Sequence, residues 1–322
     1  MQAAYVLGID VGGTAVKMAV FTEDAEMKQK WSIPTNKTNN GESILDDISA
    51  SFHEMVEREG YTKDQFIGAG VGVPGFIDME EGVIEFAVNI GWRNYPITAL
   101  LSEKLGVPVR VDNDANLAAA GEFWKGAGSD VEDLILFTLG TGVGGGLIVK
   151  GDIIHGVGGM GGEIGHVTVI PEGGAPCNCG KTGCLETVSS ATGMVRLAHE
   201  AAKEFPTSKL TKHYQDTGEM TTKEIFAFSA DGDEAARKVV DISMYYLGLS
   251  AANIANVLNP AKIVIGGGVS AAGDDLLKPL THYYNKYALE KVKSDSTFVL
   301  AELGNDAGVA GAAWLAKQYV TK

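Results

Sequence analysis

The chain of 322 residues carries 41 Asp and Glu against 26 Lys and Arg, a formal charge of −15, and so acidic a surface repels nucleic-acid backbones and anionic membranes. No apolar run approaches the ~20 residues of a membrane helix, and Met1 leads straight into Tyr5-Val6-Leu7-Gly8-Ile9-Asp10, without the basic start or small-residue cleavage pattern of a secretory signal. Three cysteines, an odd number confined to positions 177–184, exclude a disulfide scaffold and make the cytosol the expected compartment.

The length is near twice that of a common domain, so two domains are expected. Glycine is in excess, 42 residues where usage of ~7% would give about half that number, and it is clustered, which marks positive φ or close backbone approach. Along the chain, Tyr5 to Phe21 reads as strand, glycine turn (Val11-Gly12-Gly13-Thr14) and strand. Ile44, Leu45, Ile48, Phe52, Met55 and Val56 share one helical face, and Gly60 can end that helix. Strands are predicted at Ile67–Val73 and Val107–Val111, then a helix from near Asp114 to Gly126. Leu134–Phe137, Leu139-Gly140-Thr141-Gly142-Val143-Gly144-Gly145-Gly146 and Leu147–Val149 repeat the strand–glycine turn–strand unit, so each half opens on a related motif and the architecture reads as duplicated. A helix from Asp233 to about Leu258 closed by Asn259-Pro260, a strand at Lys262–Ile265 and a last helix from Asp306 to Val320 complete an alternating α/β pattern. The domain boundary is placed near Val111–Asn113.

Gly70–Gly75 and Gly140–Gly145 both fit the spacing G-x-G-x-x-G. A dinucleotide site needs a helix directly after such a loop, whereas strand-like sequence follows Gly145 and turn-like sequence follows Gly75. No G-x-x-x-x-G-K-[ST] loop occurs. What remains is a pair of glycine-tipped hairpins whose backbone N–H groups can hold phosphate oxygens from two sides; tight turns alone would also favour glycine. Asp10, just before the first turn, suits a Mg²⁺ ion held with the phosphates of ATP, through water, or a turn carboxylate accepting backbone N–H groups. Gly266-Gly267-Gly268 would let a strand end approach adenine and ribose, or serve as a strand-to-helix turn.

Asp112-Asn113-Asp114-Ala115-Asn116 ends a strand and opens a helix. It is not an EF-hand, because Leu117 and Phe123 stand where that loop requires Gly and Glu. Simple N-capping needs one such residue rather than four. A carboxylate at a strand's carboxyl end faces a crevice; Asp114 there can take the proton of an attacking sugar hydroxyl while Asn113 fixes that hydroxyl. His166, Cys177, Cys179 and Cys184, spaced H-x10-C-x-C-x4-C, make a closed structural zinc site, the alternative being three reduced thiols in a loop. Glu163 and Glu186 flank the cluster; pinned by it, the two carboxylates suit a polyol, and otherwise they are solvated surface residues.

Taken together, Gly8-Ile9-Asp10-Val11-Gly12-Gly13-Thr14 with Lys17, Gly72-Val73-Pro74-Gly75, the Asp112–Asn116 stretch, Leu139–Gly146, Gly162-Glu163-Ile164-Gly165-His166, Cys177-Asn178-Cys179-Gly180-Lys181-Thr182-Gly183-Cys184-Leu185-Glu186 and Ile265–Gly268 resemble the ROK group of bacterial sugar kinases and sugar-responsive repressors, in the family's order and over nearly the whole chain. The cysteine stretch looks like that of the group's glucokinases in low-GC Gram-positive bacteria. The resemblance implies an α/β, duplicated actin-like (ribonuclease H-like) ATPase fold of two lobes with a central cleft. Residues 1–112 would form the first lobe, completed by the returning helix 303–322, and residues 113–302 the second, with the zinc loop 166–184. It implies Asp114 as general base in phosphorylating glucose at the 6-hydroxyl with ATP, and Gly75, Asn113, Glu163, His166 and Glu186 around the sugar. His166 would give one ring nitrogen to zinc and turn the other to the sugar. Asp10, Gly12, Gly13, Thr14, Lys17, Thr141, Gly142, Gly144, Gly266, Gly267 and Gly268 would surround the nucleotide and its Mg²⁺. A homodimer or dimer of dimers is implied. Other hexoses (fructose, mannose, allose, an N-acetylhexosamine) remain open as substrates, and so does polyphosphate as donor. A repressor would carry a DNA-binding domain ahead of the first glycine turn, where only seven residues precede Gly8.

Overall fold

The computed structural model describes residues 4–87 and 89–321, with side chains up to Tyr319. In chain order the first half contains β1 (Tyr5–Val11), β2 (Ala15–Thr22), β3 (Met27–Pro34), α1 (Ile44–Glu59), β4 (Phe66–Val73), β5 (Phe76–Asp78), β6 (Val83–Ala87), β7 (Trp92–Tyr95), α2 (Ile97–Leu105), β8 (Val109–Asn113) and α3 (Asp114–Lys125). There follow β9 (Leu134–Leu139), β10 (Val143–Val149), β11 (Asp152–Ile153), α4 (Glu186–Ser189), α5 (Ala191–Glu204), α6 (Lys209–Thr217), α7 (Thr222–Ala230), α8 (Glu234–Leu258), β12 (Lys262–Gly266), α9 (Asp274–Tyr287), α10 (Glu290–Asp295), β13 (Thr297–Leu300) and α11 (Ala307–Thr321).

Two five-stranded sheets repeat one arrangement, β3-β2-β1-β4-β8 and β11-β10-β9-β12-β13. In the first, β2 is antiparallel to both β1 and β3, whereas β4 is parallel to β1 and to β8. In the second, β12 is parallel to β9 and to β13, and β10 is antiparallel to β11. The internal repeat expected from the two glycine turns is therefore a repeat of whole sheets. The chain divides into two compact units, one of Met1–Asp130, Gly146–Gly162 and Glu302–Lys322, the other of Val131–Gly145 and Glu163–Ala301.

In the first unit the apolar face of α1 (Ile44, Leu45, Ile48, Phe52, Met55) meets Leu7, Ile9, Met18 and Val71 of the sheet in one buried cluster. Gly60 ends the helix in the left-handed region at φ 74°, as its position predicts. On the other face α11 packs against β1, β4 and α3. Its approach is so close that an added Cβ would lie 2.0 Å from the Val309 carbonyl oxygen at Gly8, 1.8 Å from that of Ala312 at Gly70, and 1.7 Å from that of Leu117 at Gly311. Part of the glycine excess thus serves backbone-to-backbone packing of the C-terminal helix and not ligand approach. Buried Glu122 of α3 reinforces the join by accepting the N–H groups of Glu302 (3.1 Å) and Leu303 (2.8 Å).

In the second unit α8 packs against α5, α7 and α9. Asp233 caps it by accepting the Ala236 N–H at 3.0 Å, and Asn259, at φ 47°, ends it as expected. One boundary moves: the strand expected at Val107–Val111 runs over Val109–Asn113. Pairing of β8 with β4 continues through Gly72↔Asp112 and Val73↔Asn113, which holds two polar residues in extended conformation. The segment after Gly75, read as turn, forms the small antiparallel sheet β5-β6-β7.

Candidate active site

Within the first unit, β1 and β2 present the first glycine turn. The Gly12 N–H closes it on the Ala15 carbonyl at 3.0 Å, and Thr14 at its tip is exposed. Asp10 lies at the end of β1 with little solvent access; burial pushes its carboxyl up, and Lys17 nearby pulls it down less strongly. Lys17 Nζ lies 3.4 Å from Asp10 Oδ2 and donates to the Asn305 carbonyl at 3.0 Å. The first turn of α11 closes over the same carboxylate, since a Cβ on Gly308 would sit 3.1 Å from it. Ionisation of a carboxylate buried here would be favoured by a further cation beside it.

Also in the first unit, β8 delivers Asp112, Asn113 and Asp114 to the start of α3. Asn113 caps the helix, Oδ1 accepting the N–H groups of Ala115 (2.8 Å) and Asn116 (3.4 Å), and its Nδ2 donates to the Gly75 carbonyl at 3.3 Å. Gly75 is at φ 135°, with the Phe86 carbonyl oxygen 2.3 Å from where a Cβ would stand, so no side chain fits there. Asp114 is exposed, and its Oδ1 accepts the Ala115 N–H at 2.9 Å. The carboxylate is held at the strand's carboxyl end and open to solvent, as a base requires.

Within the second unit, the turn Gly140–Gly142 joins β9 to β10, with Gly140 N–H donating to the Gly142 carbonyl at 3.0 Å. Gly144 lies inside β10 and not at the tip, so Thr141 and Gly142 form the turn itself. Its support comes from the start of α5: the Ala191 N–H donates to the Gly140 carbonyl at 2.8 Å and the Thr192 hydroxyl to that of Thr141 at 2.7 Å. Glu186 Oε2 accepts the Val143 N–H at 3.0 Å and occupies the place a Gly142 Cβ would need, 2.2 Å away. Its Oε1 is 3.7 Å from the Cys177 thiol. One carboxylate thus touches both the second glycine turn and the cysteine loop. Gly266 ends β12, and Gly267, at φ 80°, turns the chain into a short 3-10 helix over Gly268–Ala272; Gly267 and Gly268 are exposed.

The ligand atoms of His166, Cys177, Cys179 and Cys184 all lie within 4.8 Å of one another, a group that can hold a metal ion. His166 turns Nδ1 to the Cys177 Sγ at 3.6 Å and Nε2 to Glu163 Oε2 at 3.8 Å. Burial pushes the Cys177 thiol up to about 12, while the Lys181 N–H lowers the exposed Cys179 thiol. Three thiolates so close repel one another unless a cation lies among them.

The sequence model of the ROK family matches residues 6–319. The chain belongs to the ROK family. A glucokinase of Halalkalibacterium halodurans is 53% identical over 318 residues, 99% of this chain and 96% of that one. Among solved structures, a ROK hexokinase from Thermus thermophilus superposes with TM-score 0.82 at 31% identity, covering 98% of this chain and 99% of the other. A ROK-family glucokinase from Streptomyces griseus, in complex with glucose and AMPPNP, gives 0.77 at 31% identity, covering 98% and 100%. The repeated sheets are those of the actin-like, ribonuclease H-like ATPases. Among the described residues no helix is long and apolar enough to cross a membrane.

Sequence reasoning passed over two residues of the first unit that lie beside these groups. Lys37 places Nζ 3.5 Å from where a Gly13 Cβ would be, beside the first turn. His155 Nε2 donates to Asp112 Oδ2 at 2.7 Å. Neither has a spacing signal, because each meets its partner only through sheet topology.

Proposed function

We propose that the chain is a cytoplasmic, ATP-dependent glucokinase that transfers the γ-phosphoryl group of ATP to the 6-hydroxyl of glucose. The observation that carries the mechanism is the junction of β8 and α3: an exposed carboxylate, Asp114, whose neighbours Asp112 and Asn113 spend their hydrogen bonds on fixing the backbone around it. The 53% identity with a glucokinase along 99% of the chain supports glucose as substrate.

In this reading Asp114 takes the hydroxyl proton as phosphate transfer proceeds. Asn113 and Gly75 orient that hydroxyl, and Glu163, Glu186 and the Nε2 edge of His166 accept or donate to the others. Gly12, Gly13, Thr14, Thr141, Gly142 and Gly144 would surround the phosphates, the N–H groups at the turn tips holding phosphate oxygens, with Lys17 paired to Asp10 beside them. Asp10 would hold a Mg²⁺ ion through water, and such an ion would neutralise the charge that develops on the phosphates. Gly266, Gly267 and Gly268 would leave room for adenine and ribose. The lobes would be residues 1–112 with 303–322 and residues 113–302, and the assembly a homodimer or dimer of dimers.

The donor set fits zinc. Thiolates ~2.3 Å from a tetrahedral zinc ion are roughly 3.8 Å apart, close to the 3.6 Å between the Cys179 and Cys184 sulfurs and the 3.6 Å from Cys177 Sγ to His166 Nδ1. Four protein ligands leave no open position, so the ion would be structural, fixing His166 and, through Cys177, Glu186. A coupled assay with ATP and a panel of glucose, fructose, mannose, allose and N-acetylhexosamines tests the reading. Glucose should have the highest kcat/KM; preference for another hexose, or no ATP-dependent phosphorylation at all, would overturn it.

A further inference from the structure

We propose that His155, acting through the buried carboxylate of Asp112, is a positioning residue for the base: it fixes the strand end that carries Asn113 and Asp114. The inference rests on the reading of Asp114 as general base. Asp112 has no solvent exposure, and a carboxylate removed from water requires partners for its charge and lone pairs. Its Oδ1 accepts the Asn113 N–H at 2.7 Å and the Asn116 side-chain amide at 3.0 Å, the two residues that bracket Asp114 and Ala115. Its Oδ2 is 2.7 Å from His155 Nε2. The imidazole is thus the cationic partner of a carboxylate whose remaining bonds all hold the catalytic junction.

The far end of the pair is also built in. His155 follows β11, and its carbonyl accepts the Gly161 N–H at 2.7 Å, closing the segment 155–161 into a loop. A Cβ on Gly161 would lie 2.9 Å from that carbonyl oxygen, so the closure depends on glycine. The loop leads in sequence to Glu163 and His166. Asp112 raises the imidazole above its ordinary value, chiefly by accepting its hydrogen bond, with partial burial opposing. Among the described residues, Asp112 of β8 is the charged group that faces the ring; Asn116 of α3 faces the same carboxylate and is neutral. The folded value lies above the unfolded one, so the ionic pair is fully present below ~6.5 and is lost as pH rises through the folded value.

The test combines kinetics with titration. His155→Ala should lower kcat about tenfold while leaving KM for ATP within about twofold. His155→Gln, which keeps a neutral donor but not the charge, should restore only part of that loss, and its kcat should lack the alkaline decline that the wild type shows as the imidazole loses its proton. In a double-mutant cycle, His155→Gln should cost much less in an Asp112→Asn background. Wild-type kcat and pH profile in both His155 variants, or equal costs in the two backgrounds, would overturn the proposal. Should the variants fail to fold, imidazole NMR of the wild type decides: titration of His155 at or below the ordinary histidine value removes the ion pair. A wild type that phosphorylates no hexose refutes the glucokinase reading instead, and the imidazole titration still decides the pair.

Discussion

Asp114 is exposed, yet its backbone is held by the capping of Asn113 and by the buried Asp112. Removing its carboxylate should therefore cost chemistry and not structure. Asp114→Ala is expected to keep its melting temperature and most of its sugar affinity and to lose turnover by about 10²–10⁴-fold or more; near-normal turnover in the coupled assay would reassign the base. Lys37 leads to a second expectation, because a flexible cation over Gly13 can pair with a phosphate oxygen. Lys37→Ala should raise KM for ATP roughly tenfold, the size of one charge-assisted hydrogen bond, and leave KM for glucose alone. An unchanged KM for ATP would remove it from the nucleotide site. At the cysteine loop, Cys179→Ser should abolish the zinc found by elemental analysis and raise KM for glucose, since His166 and Glu186 both lean on that loop. Full metal content in the variant would place the ion elsewhere. Most of these residues can be picked out from sequence because the chemistry requires side chains bunched within a few positions, as in Asp112–Asn116 and Cys177–Glu186. Lys37 and His155 escape because their partners are 24 and 43 residues away, and only the sheets bring them together.

At the scale of elements, α1 and α8 are readable in the sequence, because Gly60, Asp233 and Asn259 are local signals that tertiary structure does not override. The short strands β5–β7 were not, since each has three to five residues and gains its stability from its neighbours. Helices α2, α4 to α7, α9 and α10 also go without a prediction from the sequence, α4 spanning only four residues and α10 six. The shift of β8 toward the start of α3 has the same cause: Asp112 and Asn113 have poor strand propensity, and pairing with Gly72 and Val73 overrides it. Glycine proves ambiguous in a useful way. Gly12 and Gly142 sit at hairpin turns, whereas Gly8, Gly70, Gly121 and Gly311 admit the backbone of a packed helix. A Cβ on Gly311 would be 1.7 Å from the Leu117 carbonyl oxygen, which is backbone and cannot swing aside. Gly311→Ala should accordingly destabilise the protein by about 1–3 kcal/mol or more, seen as a lower urea midpoint, whereas Gly60→Ala, with nothing within 4 Å of its added Cβ, should cost only the strain of its positive φ. Equal midpoints for Gly311→Ala and the wild type would mean that α11 does not press on α3 as described.

At the scale of the molecule, the charge of −15 and the resemblance to a family that includes repressors make opposing suggestions about nucleic acid. DNA affinity arises mostly from cations that displace counterions from phosphates, and it weakens linearly in log salt as each such contact is lost. In this chain Lys17 and Lys30 are engaged locally, on Asp10 and Asp306, while the excess of 15 negative charges sets the sign of the far field. On the proposed reading ATP is a different case: it would bring Mg²⁺ and enter a site where amide dipoles act at contact distance, within the ~8–10 Å that salt leaves unscreened. The two modes separate in one experiment. Duplex DNA of a promoter's length should not be retarded by micromolar protein at physiological salt, a threshold that non-specific binding by basic proteins reaches at ~10⁻⁴–10⁻⁶ M, and adding glucose should change nothing. In the same buffer AMPPNP and glucose should each raise the melting temperature, about 2.7 kcal/mol of stabilisation at a hundredfold excess over Kd. Salt-sensitive retardation released by glucose would instead assign the sugar site to regulation.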